Sequence, residues 1–144
     1  MDAVLADRQV GSVTERIAAA GGVFAMGAGA AAVWYFDPSQ TNFFPVCPLY
    51  KLTGFACPGC GMTRGFHALA HGDIATALHF NALIPLFALL FLFFGISLVL
   101  YAFRGRGLRV EILRPQILWG LFSLLIVFGL ARNLPLYPFT VLFP

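Results

Sequence analysis

Charge is scarce in this chain. Only 10% of its 144 residues are Asp, Glu, Lys or Arg, with a single lysine, Lys51, and six acids, where a soluble domain carries about 25%. With 60% of residues hydrophobic, the chain would expose too much apolar surface to water, which excludes a free-standing soluble domain and makes lipid the expected solvent. No dense basic tract is present, so nucleic acid is not an expected partner. There is no phosphate-binding glycine loop, no nucleophile–base pair and no pair of neighbouring carboxylates, which leaves an autonomous enzyme little to work with. Cysteine and histidine are rare as well, with three of each.

What is abundant is apolar sequence in long runs. Three spans follow, at about 17–36, 82–103 and 112–131, the third reaching spanning length only by recruiting Ile112 to Pro115 or with local bilayer thinning. Thr14 is placed to cap the first and Glu15 to favour its first turn. The expected fold is one all-α integral-membrane domain over 1–144, with three transmembrane helices. A cysteine-containing loop and a short interfacial amphipathic helix occupy 37–80.

Basic residues orient the spans. Arg8, Arg16, Arg104, Arg106, Arg109 and Arg114 share one side, against Lys51, Arg64 and Arg132 on the other. The expected location is therefore the bacterial inner (cytoplasmic) membrane, multi-pass, with the N-terminus cytoplasmic and the cysteine loop periplasmic or extracellular. Disulfides persist in that compartment. A secretory signal is the competing reading of the first span, but Asp2, Asp7 and Glu15 sit in its n-region and the apolar stretch runs on to Trp34-Tyr35-Phe36. Gly21, Ala25 and Gly29 recur at intervals of four and allow close backbone approach, either to the chain's own spans or to a partner. Pro38 ends the first helix, and the segment from there to Gly54 reads as irregular loop.

All three cysteines lie between Cys47 and Cys60, and His67 and His71 follow within about three helical turns. Cys57-Pro58-Gly59-Cys60 is expected to open a helix with Met62, Phe66, Leu69 and Ala70 on one side and Cys60, Arg64, His67 and His71 on the other. Gly61 and Gly65 weaken that helix. Gly72 stops it, Asp73 caps the next, and 74–103 reads as one helix kinked at Pro85, with the Asn81 amide serving a freed carbonyl.

The stretch resembles a bacterial family of small membrane proteins known mainly as a domain of unknown function. That family is marked by a C-P-x-C-G-x-T-R signature, an upstream Cys-Pro and a downstream Gly-Asp leading into a hydrophobic helix. The corresponding residues are Cys57-Pro58-Gly59-Cys60-Gly61-Met62-Thr63-Arg64, Cys47-Pro48 and Gly72-Asp73, and the likeness runs from about Phe44 to Leu90. It implies a membrane protein and brings no reaction with it.

Three chemistries remain open for the cysteines. A structural disulfide joins Cys47 to Cys57 or Cys60, with Gly54, Pro58 and Gly59 shaping the turn and Arg64 bonding loop carbonyls or lipid phosphate. Zinc takes Cys47, Cys57, Cys60 and His67 as Cys₃His. Thiol–disulfide exchange uses Cys57 and Cys60 at a helix start near Arg64, without a thioredoxin-like context. His79, near the mouth of span two, reads as a snorkelling interfacial residue in preference to a tetrapyrrole ligand. The function expected is a non-catalytic accessory or assembly subunit of a larger bacterial membrane complex, electron-transport complexes among the candidates, with a cysteine-clamped outward loop. Its expected partners are membrane lipid and other integral-membrane subunits. The alternative is a membrane-anchored thiol or metal site.

Overall fold

The computed structural model describes residues 11–41, 44, 47–108 and 114–137. Over these the chain is all-helical: α1 (Val13–Tyr35), α2 (Pro48–Thr53), α3 (Met62–Ala70), α4 (Ile74–Phe80), α5 (Ile84–Arg104) and α6 (Pro115–Ala131). Expectations placed on Asp2, Asp7, Arg8, Arg109, Ile112 and Leu113 fall outside the described residues.

Two helices, α1 and α5, are long and apolar enough to cross a membrane, with mean hydropathies of 1.6 and 2.6 over their spanning windows. The third apolar helix, α6, has 17 residues, about 25 Å of helix against roughly 30 Å of hydrocarbon. It starts at Pro115, because Arg114 takes the extended conformation (ψ 134°) that a following proline imposes.

The chain divides into two compact units. Among the described residues, the first joins 11–29 to 89–108. Here Ser12, not Thr14, caps α1: the Ser12 amide donates to Glu15 Oε2 at 2.9 Å and the Glu15 amide donates to Ser12 Oγ at 3.3 Å. This is a reciprocal capping box. Glu15 also accepts from the Tyr101 hydroxyl. Arg16 donates to the carbonyls of Ala102 and Phe103 at 3.0 and 2.8 Å, which satisfies orphan acceptors at the end of α5 and places a cation on its negative pole. The start of α1 thus lies beside the end of α5, and Arg16 and Arg104 share that end. Between the two helices Gly22 faces Leu98 and Gly95 faces Met26. The Gly21, Ala25, Gly29 stripe is exposed, and a Cβ built at Gly21 or Gly29 meets nothing within 4 Å. The packing here therefore uses the adjacent face of α1.

The second unit joins the described residues of 30–88 to 114–137. Its core is Ala68, Ala77 and Ile84, with Met62, Phe66 and Leu69 packed against them. The apolar side of α3, expected to lie on the bilayer, is turned instead onto α4 and the start of α5, and Ala70 from that side is exposed. Gly61 (φ 80°) is the N-cap of α3, which begins at Met62 and not Cys60. Gly72 (φ 83°) turns the chain, and Asp73 caps α4 by accepting from the Thr76 amide at 3.0 Å. The segment before Gly54 is not wholly irregular, since α2 forms behind Pro48. The expected 74–103 helix breaks at Asn81 (φ −161°, ψ 115°). A continuing helix would drive the Pro85 ring into the Asn81 carbonyl. Breaking it places Pro85 in the first turn of α5, where a missing N–H costs nothing.

Gly65 sits where α3 meets α5. A Cβ there would lie 2.7 Å from Ile84 Cδ1 and 3.1 Å from the Ala77 carbonyl oxygen. Alanine should gain up to about 1 kcal/mol of helix propensity and lose about 1–3 kcal/mol to overpacking. Gly65→Ala is thus expected to lower the melting temperature in detergent micelles; an unchanged or raised value would show that Ile84 steps aside.

Candidate functional site

The cysteine site assembles from turns. Cys47 precedes Pro48 and is extended (φ −58°, ψ 117°), as the residue before a proline prefers. Gly54 (φ 75°) ends α2 and sends the chain back. Cys57-Pro58-Gly59-Cys60 is then a tight turn, closed by the Cys60 amide donating to the Cys57 carbonyl at 3.0 Å, with Pro58 supplying the preset φ. The turn sets Cys57 Sγ 3.2 Å from Cys60 Sγ, and Cys47 Sγ approaches Cys57 Sγ to the same 3.2 Å. All three sulfurs lie within 4.8 Å of one another. Cys57 is the shared neighbour.

The carbonyls of this turn are held from behind. Arg132, 1% exposed, donates through one guanidinium nitrogen to the carbonyls of Cys57 (2.9 Å) and Cys60 (3.1 Å), and its guanidinium lies over the Phe128 ring. Asn81, also 1% exposed, donates to the carbonyls of Pro58 (2.8 Å) and Cys60 (3.1 Å) and accepts from the Leu83 amide. Its amide therefore serves the cysteine turn, not a carbonyl freed by Pro85. Asn133 clamps the Ala56 backbone, accepting from its N–H and donating to its C=O, both at 2.8 Å. Gly129 of α6 leaves room for Pro58, whose Cγ would lie 3.0 Å from a Cβ built there. Bonds of this kind are the expected fate of buried polar groups, and they make the turn a fixed object.

The thiols are unequal. Cys47 is lowered to about 7, chiefly because the Tyr50 amide donates to its sulfur, and next through the Cys57 thiol. Burial, followed by its neighbours Cys57 and Cys47, pushes Cys60 up to about 12. Burial lowers Arg132 from its ordinary value, and the neighbouring Cys60 and Cys57 sulfurs oppose that shift.

Histidine is not part of the sulfur cluster. The ligand atoms brought together are those of Cys47, Cys57 and Cys60, while His67 Nδ1 lies 2.7 Å from the Val33 carbonyl oxygen. Arg64 is exposed with its guanidinium over Phe80, and the loop carbonyls assigned to it in the sequence are taken by Arg132. Thr63 lies in the first turn of α3, and the Cβ position of Gly59 is 3.9 Å from Cys57 Sγ. His79 is exposed beside Phe80. Sequence reasoning missed Arg132 and Asn133 as parts of the site. The available signal was a cation and an amide directly after an apolar helix, a position where polar groups find buried partners or the interface.

No curated protein and no solved structure matches the chain. Residues 47–95, from the first cysteine into α5 and without the bracing Arg132 and Asn133, match the model of a family described as a protein of unknown function, DUF2752.

Proposed function

We propose that this chain is a multi-pass subunit of the bacterial inner membrane that presents a three-thiolate metal centre on the outer face. It acts as an anchored accessory part of a larger membrane complex and not as an autonomous enzyme. The observation that carries the reading is the third sulfur. A disulfide staple needs two thiols, whereas Cys47, Cys57 and Cys60 all converge within 4.8 Å. Zinc bonded to thiolates at about 2.3 Å in tetrahedral geometry holds them roughly 3.8 Å apart, close to the 3.2 Å contacts at Cys57. Soft thiolates select Zn²⁺ or Cu⁺. Three thiolates around Zn²⁺ carry one net negative charge, which the buried guanidinium of Arg132 offsets. The fourth position is left to water or to a group from a partner. The distribution of basic residues supports the outward orientation, and Arg16 and Arg104 at one end of the α1–α5 pair fit it.

Purification in reducing buffer without chelator should yield one metal ion per chain, with all three thiols protected until a chelator is added. Cys57→Ser should weaken binding by more than the roughly 10–100-fold typical of losing an outer-shell group. A metal-free protein with Cys47 crosslinked to Cys57 and one reactive thiol would replace this reading with the staple. A Cys57–Cys60 bond in equilibrium with the dithiol would replace it with exchange. Orientation has its own check: after chelation, a membrane-impermeant maleimide should label Cys47 in intact spheroplasts. Labelling only after lysis would reverse the topology.

A further inference from the structure

We propose that His67 and His71 form a second metal site, a bis-imidazole pair for a borderline divalent cation such as Zn²⁺ or Cu²⁺, against the C-terminal end of α1. It is separate from the sulfur cluster and uses nitrogen donors. The pair lies at i and i+4 of α3 and its C-cap, so both rings leave the same face. Their centroids are 4.4 Å apart and tilted by 40°. A cation bonded by two imidazoles at about 2.0–2.1 Å holds their centroids roughly 5 Å apart, so the rings stand close to a binding arrangement before any metal arrives.

Tautomer makes the stronger case. His67 Nδ1 lies 2.7 Å from the Val33 carbonyl oxygen, and His71 Nδ1 lies 2.8 Å from the His67 carbonyl oxygen. A carbonyl oxygen can only accept, so each Nδ1 carries the proton of that bond and each neutral ring keeps a free Nε2 lone pair. An Nδ1–H held by a backbone carbonyl is the usual outer-shell partner of a ligating histidine, fixing ring orientation and raising the basicity of Nε2. The plane of His71 is further set by Trp34, which stacks on it at 5.9 Å and 8°.

Trp34 supplies the test. In full-length Trp119→Phe protein, with thiols capped as methyl disulfides, Trp34 is the only tryptophan left. Titration with Cu²⁺ in micelles should quench its emission and saturate at one equivalent. The electron paramagnetic resonance spectrum of that complex should show coupling to two imidazole nitrogens. His67→Ala and His71→Ala should each weaken the binding by roughly 10–100-fold or more. Quenching that does not saturate, a spectrum with fewer than two imidazole nitrogens, or variants that titrate like the parent would each overturn the site. The spectrum of the parent needs no histidine substitution, so a variant that misfolds does not rescue the proposal.

Discussion

Arg132→Met should strip Cys60 of its protection. The guanidinium of Arg132 holds the Cys57 and Cys60 carbonyls at 2.9 and 3.1 Å, and methionine fills a similar volume with no donor. Hydrogen bonds to a charged group are worth about 1.5–3 kcal/mol each, so losing two costs the turn roughly 3–6 kcal/mol. That is a rise of roughly 10²–10⁴ in the fraction of chains in which the turn is open. Cys60 is 8% exposed in the closed turn. In the metal-free, reduced protein its labelling by a neutral alkylating reagent should accelerate by a similar factor. Arg132→Lys keeps the charge but not the planar fork and should fall between. Unchanged labelling in the methionine variant would mean that Asn81, which also donates to the Cys60 carbonyl, and Asn133 hold the turn unaided.

The second large effect is a split in thiol reactivity. Thiolates, not thiols, are alkylated, and in the reduced, metal-free protein Cys47 is lowered to about 7 while Cys60 is raised to about 12. Labelling of Cys47 should therefore rise through about pH 7 and level off, whereas Cys60 should still be climbing at the alkaline limit of the experiment. At pH 8 the two thiolate fractions differ by about 10⁴, and the greater nucleophilicity of the more basic thiolate returns about two orders to Cys60. Roughly a hundred-fold preference for Cys47 remains before any steric shielding. Mass spectrometry of tryptic peptides after timed alkylation resolves the sites. A single midpoint shared by Cys47 and Cys60 would show that the sulfurs are not held in the unequal arrangement of Tyr50 amide and buried turn.

Both expectations concern residues whose roles were unevenly legible. Cys47, Cys57 and Cys60 are conspicuous in an apolar chain, and chain order alone places them in one segment. Their partners were not legible. Arg132 lies 75 residues from Cys57 and Asn133 lies 77 from Ala56, separations across which no periodicity or motif speaks. His67 was read as a candidate fourth ligand because Cys₃His suits zinc, against a spacing that sets it two turns beyond Cys60, and the end of α1 offers the Val33 carbonyl and takes its Nδ1. Arg64 was given loop carbonyls or lipid phosphate, and the Cys57 and Cys60 carbonyls are held by Arg132 instead.

Apolar runs determined by themselves where α1, α5 and α6 would form, to within four residues at each end. A long run of apolar side chains suits lipid, where a backbone must satisfy its own polar groups and helix is the local way to do so. Local chemistry likewise determined the cap at Asp73 and the turn at Gly72. The choice of Ser12 over Thr14 followed from Glu15 closing the reciprocal box. Only the tertiary structure decided that 74–103 is two helices, that α3 turns its apolar side onto Ala77 and Ile84, and that three sulfurs meet over a buried arginine. Each of these depends on which distant backbone group is left unsatisfied and which side chain is in reach of it. That balance exists only once the segments are packed together.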